Sequence, residues 1–372
     1  MFDFIKKNLL EDDLKISKIA KSHFEMPVYS PLTYYKDITK TKYFFALLVL
    51  RHYIKLTSDC YFSHEVGAKN IDLFMMTPSV TSPMGPGSDS ELIRIKLGDL
   101  ETFLVDSSQF GFEPLLSDEV EKVYCYLPSM RGEDPDNRHL NQFYHCEAEI
   151  TGTLDDLIPT VEGFVKSLCR TVLLMDNTVD RLSADSRRTK DILKKVVDLR
   201  SFPEITFDYA VDLLIKNGME KYVNFTDHGK DIMSKGEIKL MNILKLDTPI
   251  WIKYFDRDRV PFYQKPDPNN KDKTINADLL FPPLKNGAFG GEVVGSGQRQ
   301  DDSREMYESL KRQNNILPEP YKWYIDLRKQ KSYKVTSGFG LGIERFIAWA
   351  LAKDNIRDVI LYPRIKNIRT YP

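Results

Sequence analysis

The sequence predicts an α+β fold in which an antiparallel β-sheet is flanked by helices. The first observation is a series of short strand-like segments separated by turns and polar loops. The second is a pair of longer segments, 41–57 and 154–200, with the length and apolar content of helices. Strands grouped apart from helices are typical of sheets that carry their helices on the outside.

The elements are expected in the following order. Residues 1–40 form a partly helical lead-in that ends in the turn-rich stretch 26–31, and residues 41–372 form the main domain. Within that domain the strand-like segments are 71–78, 91–96, 102–106, 123–127, 142–150, 249–256, 277–281, 292–299 and 323–328. The polar stretch 265–273 predicts a surface insertion, and the last helix is expected over 342–352.

Composition excludes several classes of protein. Of the 372 residues, 42% are hydrophobic and 29% are charged, which is ordinary for a soluble globular protein. No apolar run is long enough to span a membrane, and the first residues lack the pattern of a signal peptide. The four cysteines form no CxxC pair, so we expect buried or free thiols in a reducing, cytoplasmic compartment. A net charge of −1 argues against a dedicated nucleic-acid binder.

The stretch from Met130 to Phe143 concentrates arginines and acids. Side chains alternate along a strand, so Arg131 and Glu133 are expected on one face. Arginine binds phosphate through two parallel hydrogen bonds, which lysine cannot imitate. On the returning strand an aromatic ring and several polar side chains share one parity: Phe143, His145, Glu147 and Glu149. A surface ladder of ion pairs is the alternative interpretation.

Two downstream segments add to this set. Gly338 to Arg345 is a glycine-rich strand entering a helix, and an arginine in the first helical turn opposes the helix dipole. An anionic ligand is therefore expected there, although Glu344 is an alternative partner. The segment from Glu292 to Arg299 places a candidate Mg²⁺ ligand and a receptor for an anion or amide at two ends of one strand. Together these are the parts needed to bind ATP and to attack its α-phosphate with a carboxylate.

The order and spacing of these segments resemble class II aminoacyl-tRNA synthetases, and the details resemble the asparaginyl/aspartyl branch. The resemblance covers roughly residues 41–372. Thr77-Pro78 resembles the end of motif 1, 131–143 resembles motif 2, and 338–345 resembles motif 3. The stretches 323–328 and 355–364 fit the same branch. The resemblance implies a class II antiparallel sheet, a homodimer, and the use of ATP and Mg²⁺.

The resemblance also implies residue roles. Arg131, Glu292 and Arg345 would be catalytic, with Arg131 on the α-phosphate and substrate carboxylate. The implied ATP site consists of Arg131, Glu133, Arg138, His139, Leu140, Phe143, Glu292, Gly342 and Arg345. The implied amino-acid site consists of Ser107, Gln109, Glu113, Arg131, Arg299 and Tyr324. Glu292 and Asp278 would hold the metal.

Departures from the family pattern shape the functional prediction. Gln142 replaces a glutamate, Thr336 replaces a histidine, and Phe112 replaces the lysine that aspartyl enzymes use. Few residues precede motif 1 where the branch carries an anticodon-binding β-barrel. We therefore expect ATP-dependent activation of aspartate, asparagine or a relative as an adenylate, with ammonia or a small amine as the acceptor. The alternatives are a minimal synthetase that charges tRNA, which the charge disfavours, and a non-catalytic nucleotide-binding paralogue.

Overall fold

The computed structural model describes residues 2–19, 22–82, 85–86, 90–313 and 317–371. The helices are α1 Phe2–Ile19, α2 Tyr34–Lys40, α3 Lys42–Cys60, α4 Leu154–Leu174, α5 Asp176–Leu182, α6 Ser186–Asp198, α7 Phe207–Lys216, α8 Ser234–Leu244, α9 Ser303–Arg312, α10 Lys322–Leu327 and α11 Ile343–Ala350. The strands are β1 Lys69–Asn70, β2 Met76–Thr77, β3 Arg94–Leu97, β4 Leu100–Leu104, β5 Lys122–Met130, β6 Gln142–Thr151, β7 Glu204–Thr206, β8 Val223–Thr226, β9 Gly229–Ile232, β10 Ile250–Lys253, β11 Pro266–Asp267, β12 Asn270–Thr274, β13 Asn276–Phe281, β14 Gly291–Gln298 and β15 Thr336–Gly342. None of these helices combines the length and apolar character needed to cross a bilayer.

The core of the fold is an eight-stranded sheet with the order β1-β5-β6-β15-β14-β13-β10-β7. The inner neighbours, from β5 to β10, pair antiparallel, and only the two edge pairs are parallel. Helices pack on this sheet, so the predicted α+β class is confirmed. The hairpin β5–β6 and the last strand, β15, are adjacent in the sheet although almost two hundred residues separate them.

One face of the sheet is covered by helices. Thr153 caps α4 through Asp156, and the apolar spacing of Leu157, Val161 and Leu168 gives α4 a buried stripe. On β15, Phe339 points to this side and joins the core formed with α3, α4 and α11. Because strand side chains alternate, the neighbours of Phe339 on β15 face the opposite side of the sheet. That opposite face is the one that carries the site.

The N-terminal helix α1 packs on α3 and α5. Its Leu9 and Ile16 are buried in the main core. Asp13 caps α5, since its carboxylate accepts hydrogen bonds from the backbone N of Asn177 at 3.0 Å and of Thr178 at 2.8 Å. The helix therefore packs on the helical layer, on the side of the sheet away from the site.

Two sequence-based expectations are wrong at the level of secondary structure. The segment 323–328 is helical, as α10, because it buries Tyr324, Ile325 and Arg328 along one side. Strand β5 ends at Met130, so Arg131 lies in the loop after it and shares no strand face with Glu133. The Asn141 side chain holds this loop by donating to the carbonyl oxygens of Arg131 and Glu133 at 2.9 and 2.8 Å.

Candidate active site

The open face of the sheet has a floor of glycines. They are Gly295 and Gly297 on β14 and Gly338, Gly340 and Gly342 on β15, at every second position of each strand. Gly297 pairs with Gly338, and Gly295 pairs with Gly340. Polar side chains from neighbouring segments lie directly on these α-carbons, where a Cβ at Gly297 or Gly338 would overlap with them. The glycine spacing therefore creates the space in which the polar groups of the site meet.

All nine residues of the implied ATP site line one cavity at the Gly342 end of this floor: Arg131, Glu133, Arg138, His139, Leu140, Phe143, Glu292, Gly342 and Arg345. The motif 2 loop after β5 supplies one wall, and the first turn of α11 supplies another. The structure thus brings together two segments that are far apart in the sequence.

Arg345 makes several of the hydrogen bonds within this cavity. It donates to the carboxylate of Glu292 at 3.1 Å and to its carbonyl oxygen at 3.2 Å, and it lies 3.2 Å from Nε2 of His139. Glu344, the alternative partner, is occupied elsewhere, since it pairs with Arg51 at 2.7 Å and accepts from the backbone of Tyr144. Burial and the positive charge of Arg345 hold the pKa of His139 below its ordinary value.

Arg131 lies where the cavity continues into a second one. Its guanidinium stacks over the ring of Phe143, 5.4 Å from the centroid. Its Nε is buried and has no hydrogen-bond partner within the described residues. A buried donor without a partner is unusual, so an anionic ligand is the expected acceptor.

Arg138, which lines this first cavity, pairs with Glu237 on α8. Arg138 donates to the carbonyl oxygen of Gly290, stacks over Phe289 at 4.8 Å and lies 3.5 Å from Glu237. Burial, opposed by Arg138 and reinforced by Glu292, raises the pKa of Glu237 to about 7. Sequence reasoning missed Glu237, because an acid on α8 carries no local signal of a site.

The two implied metal ligands converge on the floor at Gly295. A Cβ at Gly295 would lie 3.4 Å from an oxygen of Glu292 and 3.7 Å from an oxygen of Asp278. Burial, and then the negative charge of Glu292, raise the pKa of Asp278 well above its ordinary value. Two crowded carboxylates fit Mg²⁺, which takes one or two carboxylates from a protein and its other ligands from phosphates and water. Across the part of the chain that the structure describes, no three His, Cys, Asp or Glu side chains form a metal-binding group.

The second cavity adjoins the first and shares Arg131, His145, Glu292 and Gly340 with it. The implied amino-acid residues Ser107, Gln109 and Arg299 also line it. Arg299 is buried and donates to Glu149 from Nε at 2.9 Å and from Nη2 at 2.8 Å. Burial lowers the pKa of Arg299, but the Glu149 carboxylate more than offsets this and leaves that pKa above its ordinary value.

Polar side chains around Arg299 hold the rest of this wall. Ser107 donates to Glu147 at 2.5 Å. The amide of Gln109, oriented to satisfy both of its atoms, accepts from Arg299 Nε at 3.1 Å and donates to the Tyr263 hydroxyl at 3.1 Å. Glu147 and Glu149 therefore belong to the site, and the surface-ladder alternative for the returning strand is wrong, because both are buried.

Glu113 and Tyr324, also predicted for the amino-acid site, are not among the residues that line either cavity. They belong to a buried network centred on Arg328, which donates to Glu113 at 2.5 Å. The hydroxyls of Tyr324 and Tyr333 also donate to Glu113. The helical form of α10 is the reason, since it brings Tyr324, and Arg328 just after the helix, onto the Glu113 carboxylate.

Fold and site together define a class of protein. The chain matches the family described as class II tRNA synthetases (D, K and N) over residues 73–366, and it belongs to that family. The resemblance seen in the sequence is thereby confirmed.

The named relatives narrow the comparison. An asparagine–tRNA ligase of Thermococcus kodakarensis is 33% identical over 284 residues, which is 76% of this chain and 61% of that protein. The chain spans about three fifths of the length of the curated relatives it matches. Among solved structures, asparaginyl-tRNA synthetase of Pyrococcus horikoshii with asparaginyl-adenylate has a TM-score of 0.80 and 27% identity, covering 94% of this chain and 76% of that one. The Entamoeba histolytica enzyme with asparaginyl-adenylate has a TM-score of 0.72 and 26% identity, covering 92% and 73%.

Proposed function

We propose that this domain activates asparagine with ATP, forming asparaginyl-adenylate and pyrophosphate, and transfers the asparaginyl group to tRNA. The observation that carries the proposal is the meeting of two cavities at Arg131. One has the residues for a nucleotide and the other has a buried arginine suited to a polar side chain. An amino acid in the second cavity would present its carboxylate to the α-phosphate of ATP in the first.

The side chains act by positioning and by stabilising charge. Arg131 donates both to the attacking carboxylate and to the α-phosphate, and so holds the two reacting groups together. Phe143 and Arg345 enclose the adenine, and Glu133 accepts from its amino group. Arg138 and His139 contact the outer phosphates. The carboxylate oxygen forms a bond to the α-phosphorus, and the bond from that phosphorus to pyrophosphate breaks.

Glu292 and Asp278 would hold Mg²⁺ beside the phosphates. When bound, the ion would offset the negative charge of the triphosphate and of the leaving pyrophosphate. Arg345 donates to Glu292 in this structure, so the same guanidinium would lie beside both the ion and the nucleotide.

The acceptor is proposed to be tRNA. The relatives described above are named as tRNA ligases or tRNA synthetases. The sequence-based preference for ammonia or a small amine finds no support among them. A net charge of −1 does not exclude tRNA, because the total does not describe local patches of basic residues.

Labelled asparagine, ATP and total tRNA test the acceptor directly. We expect acid-precipitable label that depends on both ATP and tRNA. Formation of AMP with ammonium in place of tRNA, without any labelled tRNA, would instead identify a small-amine acceptor.

We also infer a homodimer. The family resemblance implies it, and α3 exposes Phe45 and Leu48 beside a groove that Tyr126, Tyr144 and Tyr362 line in part. Light scattering of the purified protein measures the mass, and a monomer at micromolar concentration would contradict the inference.

A further inference from the structure

Gln264 is a polar residue of the second cavity that the sequence analysis did not identify. It lies in the turn before β11, where its backbone N donates to the carbonyl oxygen of Pro261 at 3.0 Å. The residue is 8% exposed, and its Oε1 is buried without a hydrogen-bond partner within the described residues. An unpaired buried amide oxygen is costly, so it indicates a group that a ligand satisfies.

The backbone holds Gln264 beside Arg299. The two residues form an antiparallel bridge, flanked by hydrogen bonds from Lys265 N to Gln298 O at 2.9 Å and from Gln300 N to Tyr263 O at 2.8 Å. Their relative position is therefore fixed by the backbone and does not depend on flexible side chains alone.

The side chains of this pair lie on neighbouring parts of the glycine floor. The amide of Gln264 lies on Gly297, and the guanidinium of Arg299 lies on Gly338. Gly297 and Gly338 are directly paired, and paired positions of an antiparallel sheet carry their side-chain sites about 5 Å apart. An acceptor oxygen and a cluster of N–H donors thus stand side by side in the same cavity.

The other acceptors near Arg299 are already engaged. Glu149 binds Arg299 itself, Glu147 binds Ser107 and the backbone of Ser108, and Glu113 binds Arg328. Arginine has five N–H donors; Glu149 takes two and the oxygen of Gln109 accepts from the same guanidinium, so donors still remain for a ligand.

We propose that Gln264 is a specificity-determining residue that accepts a hydrogen bond from the side-chain carboxamide of the amino-acid substrate, while Arg299 donates to the oxygen of the same carboxamide. The proposal rests on the proposed function and identifies the feature that separates asparagine from aspartate. A carboxamide offers one donor and one acceptor and satisfies both protein groups. An ionised carboxylate offers only acceptors, so it either leaves Gln264 Oε1 unpaired or requires the Gln264 amide to turn over from the orientation it has here.

The variant Gln264→Met keeps the side-chain length and removes the acceptor. Gln313→Met is the matched control, since Gln313 is also a buried glutamine but belongs to neither cavity. Two measurements are made on each protein with asparagine and with aspartate: ATP–pyrophosphate exchange and direct binding by titration calorimetry.

We expect Gln264→Met to weaken asparagine binding and lower its kcat/KM by about 10-fold, the loss of one net hydrogen bond, with a smaller change for aspartate. Gln264→Glu, which keeps an acceptor oxygen, should retain most of the asparagine binding. Equal losses for both amino acids, or no loss, would overturn the assignment of Gln264. A wild-type protein that binds asparagine through Gln264 but shows no exchange would contradict adenylation and leave the specificity assignment standing. A wild-type protein that binds neither amino acid would overturn both.

Discussion

Arg299 and Glu149 form a two-bond ion pair on the glycine floor, with Nε and Nη2 at 2.9 and 2.8 Å from the two carboxylate oxygens. Their side chains are 4% and 0% exposed, so water screens the pair little. The pair lies directly on Gly338, and this contact fixes the direction in which the remaining donors of Arg299 point. The geometry of the second cavity therefore depends on the absence of a side chain at Gly338.

Gly338→Ala tests this dependence. The new methyl would overlap with Glu149 and lie 2.5 Å from Nη2 of Arg299, so the pair must shift. We expect the KM for asparagine to rise about 10-fold or more, with the KM for ATP within about twofold of wild type. Gly342→Ala is the control for the asparagine KM alone: Gly342 lies in the other cavity, and its nearest neighbour, Arg345 Cδ, would lie at an ordinary 3.4 Å. Steady-state exchange kinetics separate the two constants, and an unchanged asparagine KM in Gly338→Ala would contradict the account.

Arg131 is expected to be essential for adenylate formation. Arg131→Ala should slow that step by roughly 100-fold or more, and Arg131→Lys should recover little of it because lysine lacks the two-pronged geometry. The control is Arg94→Ala, since Arg94 also stacks over a phenylalanine, Phe103, but lies outside both cavities. Single-turnover formation of labelled adenylate measures the step. Near-normal rates in Arg131→Ala would show that the two cavities do not meet at the reacting atoms.

Glu113 is expected to act on stability and not on substrate choice. In Glu113→Gln the buried Arg328 loses its charged partner, and the free energy of unfolding should fall by about 3 kcal/mol. The preference for asparagine over aspartate should stay as in wild type. Urea unfolding measures the first quantity, with Glu308→Gln, from an exposed pair, as the control with no measurable loss. A stable variant that no longer uses asparagine would show that Glu113 acts on substrate choice.

His145 gives the fold a dependence on pH. Burial, and then the positive charges of Arg131 and Arg345, hold the pKa of His145 well below its ordinary value of 6.5. As the pH falls below 6.5, the unfolded chain takes up a proton that the folded chain refuses, so stability present above that pH is lost. Between pH 6.5 and 5.5 the wild type should lose about 1 kcal/mol more than His145→Asn. Urea unfolding at the two pH values measures the difference, and identical losses would show that His145 accepts a proton in the fold.

Most residues of the first cavity could be predicted from the sequence, because their signals are local. Glycines at every second position of a strand must face one side, and Gly338 to Arg345 shows this spacing together with the start of a helix. The motif 2 residues, 131–143, lie close together in one loop and the start of a strand. Because they are near one another in the sequence, they are also near one another in space. The order of the segments along the chain then indicated the family.

The other site residues could not be predicted from the sequence, because their positions depend on contacts between distant segments. Glu237 reaches the site through two distant segments: Arg138, 99 residues earlier in the chain, lies 3.5 Å from its carboxylate, and the backbone N of Glu292, 55 residues later, donates to it at 3.3 Å. Gln264 lines the second cavity because its backbone forms a bridge with Arg299. Over six residues the sequence of 323–328 fits a strand as well as a helix, and the pairing of Arg328 with Glu113, 215 residues away, accompanies the helical form.

Activation of asparagine at the junction of the two cavities is measured by ATP–pyrophosphate exchange with each common amino acid, in the presence and absence of Mg²⁺. Arg131→Ala is the inactive reference. We expect exchange that requires Mg²⁺, is fastest with asparagine and is lost in Arg131→Ala. A folded protein that binds ATP but gives no exchange with any amino acid would show that this chain forms no adenylate.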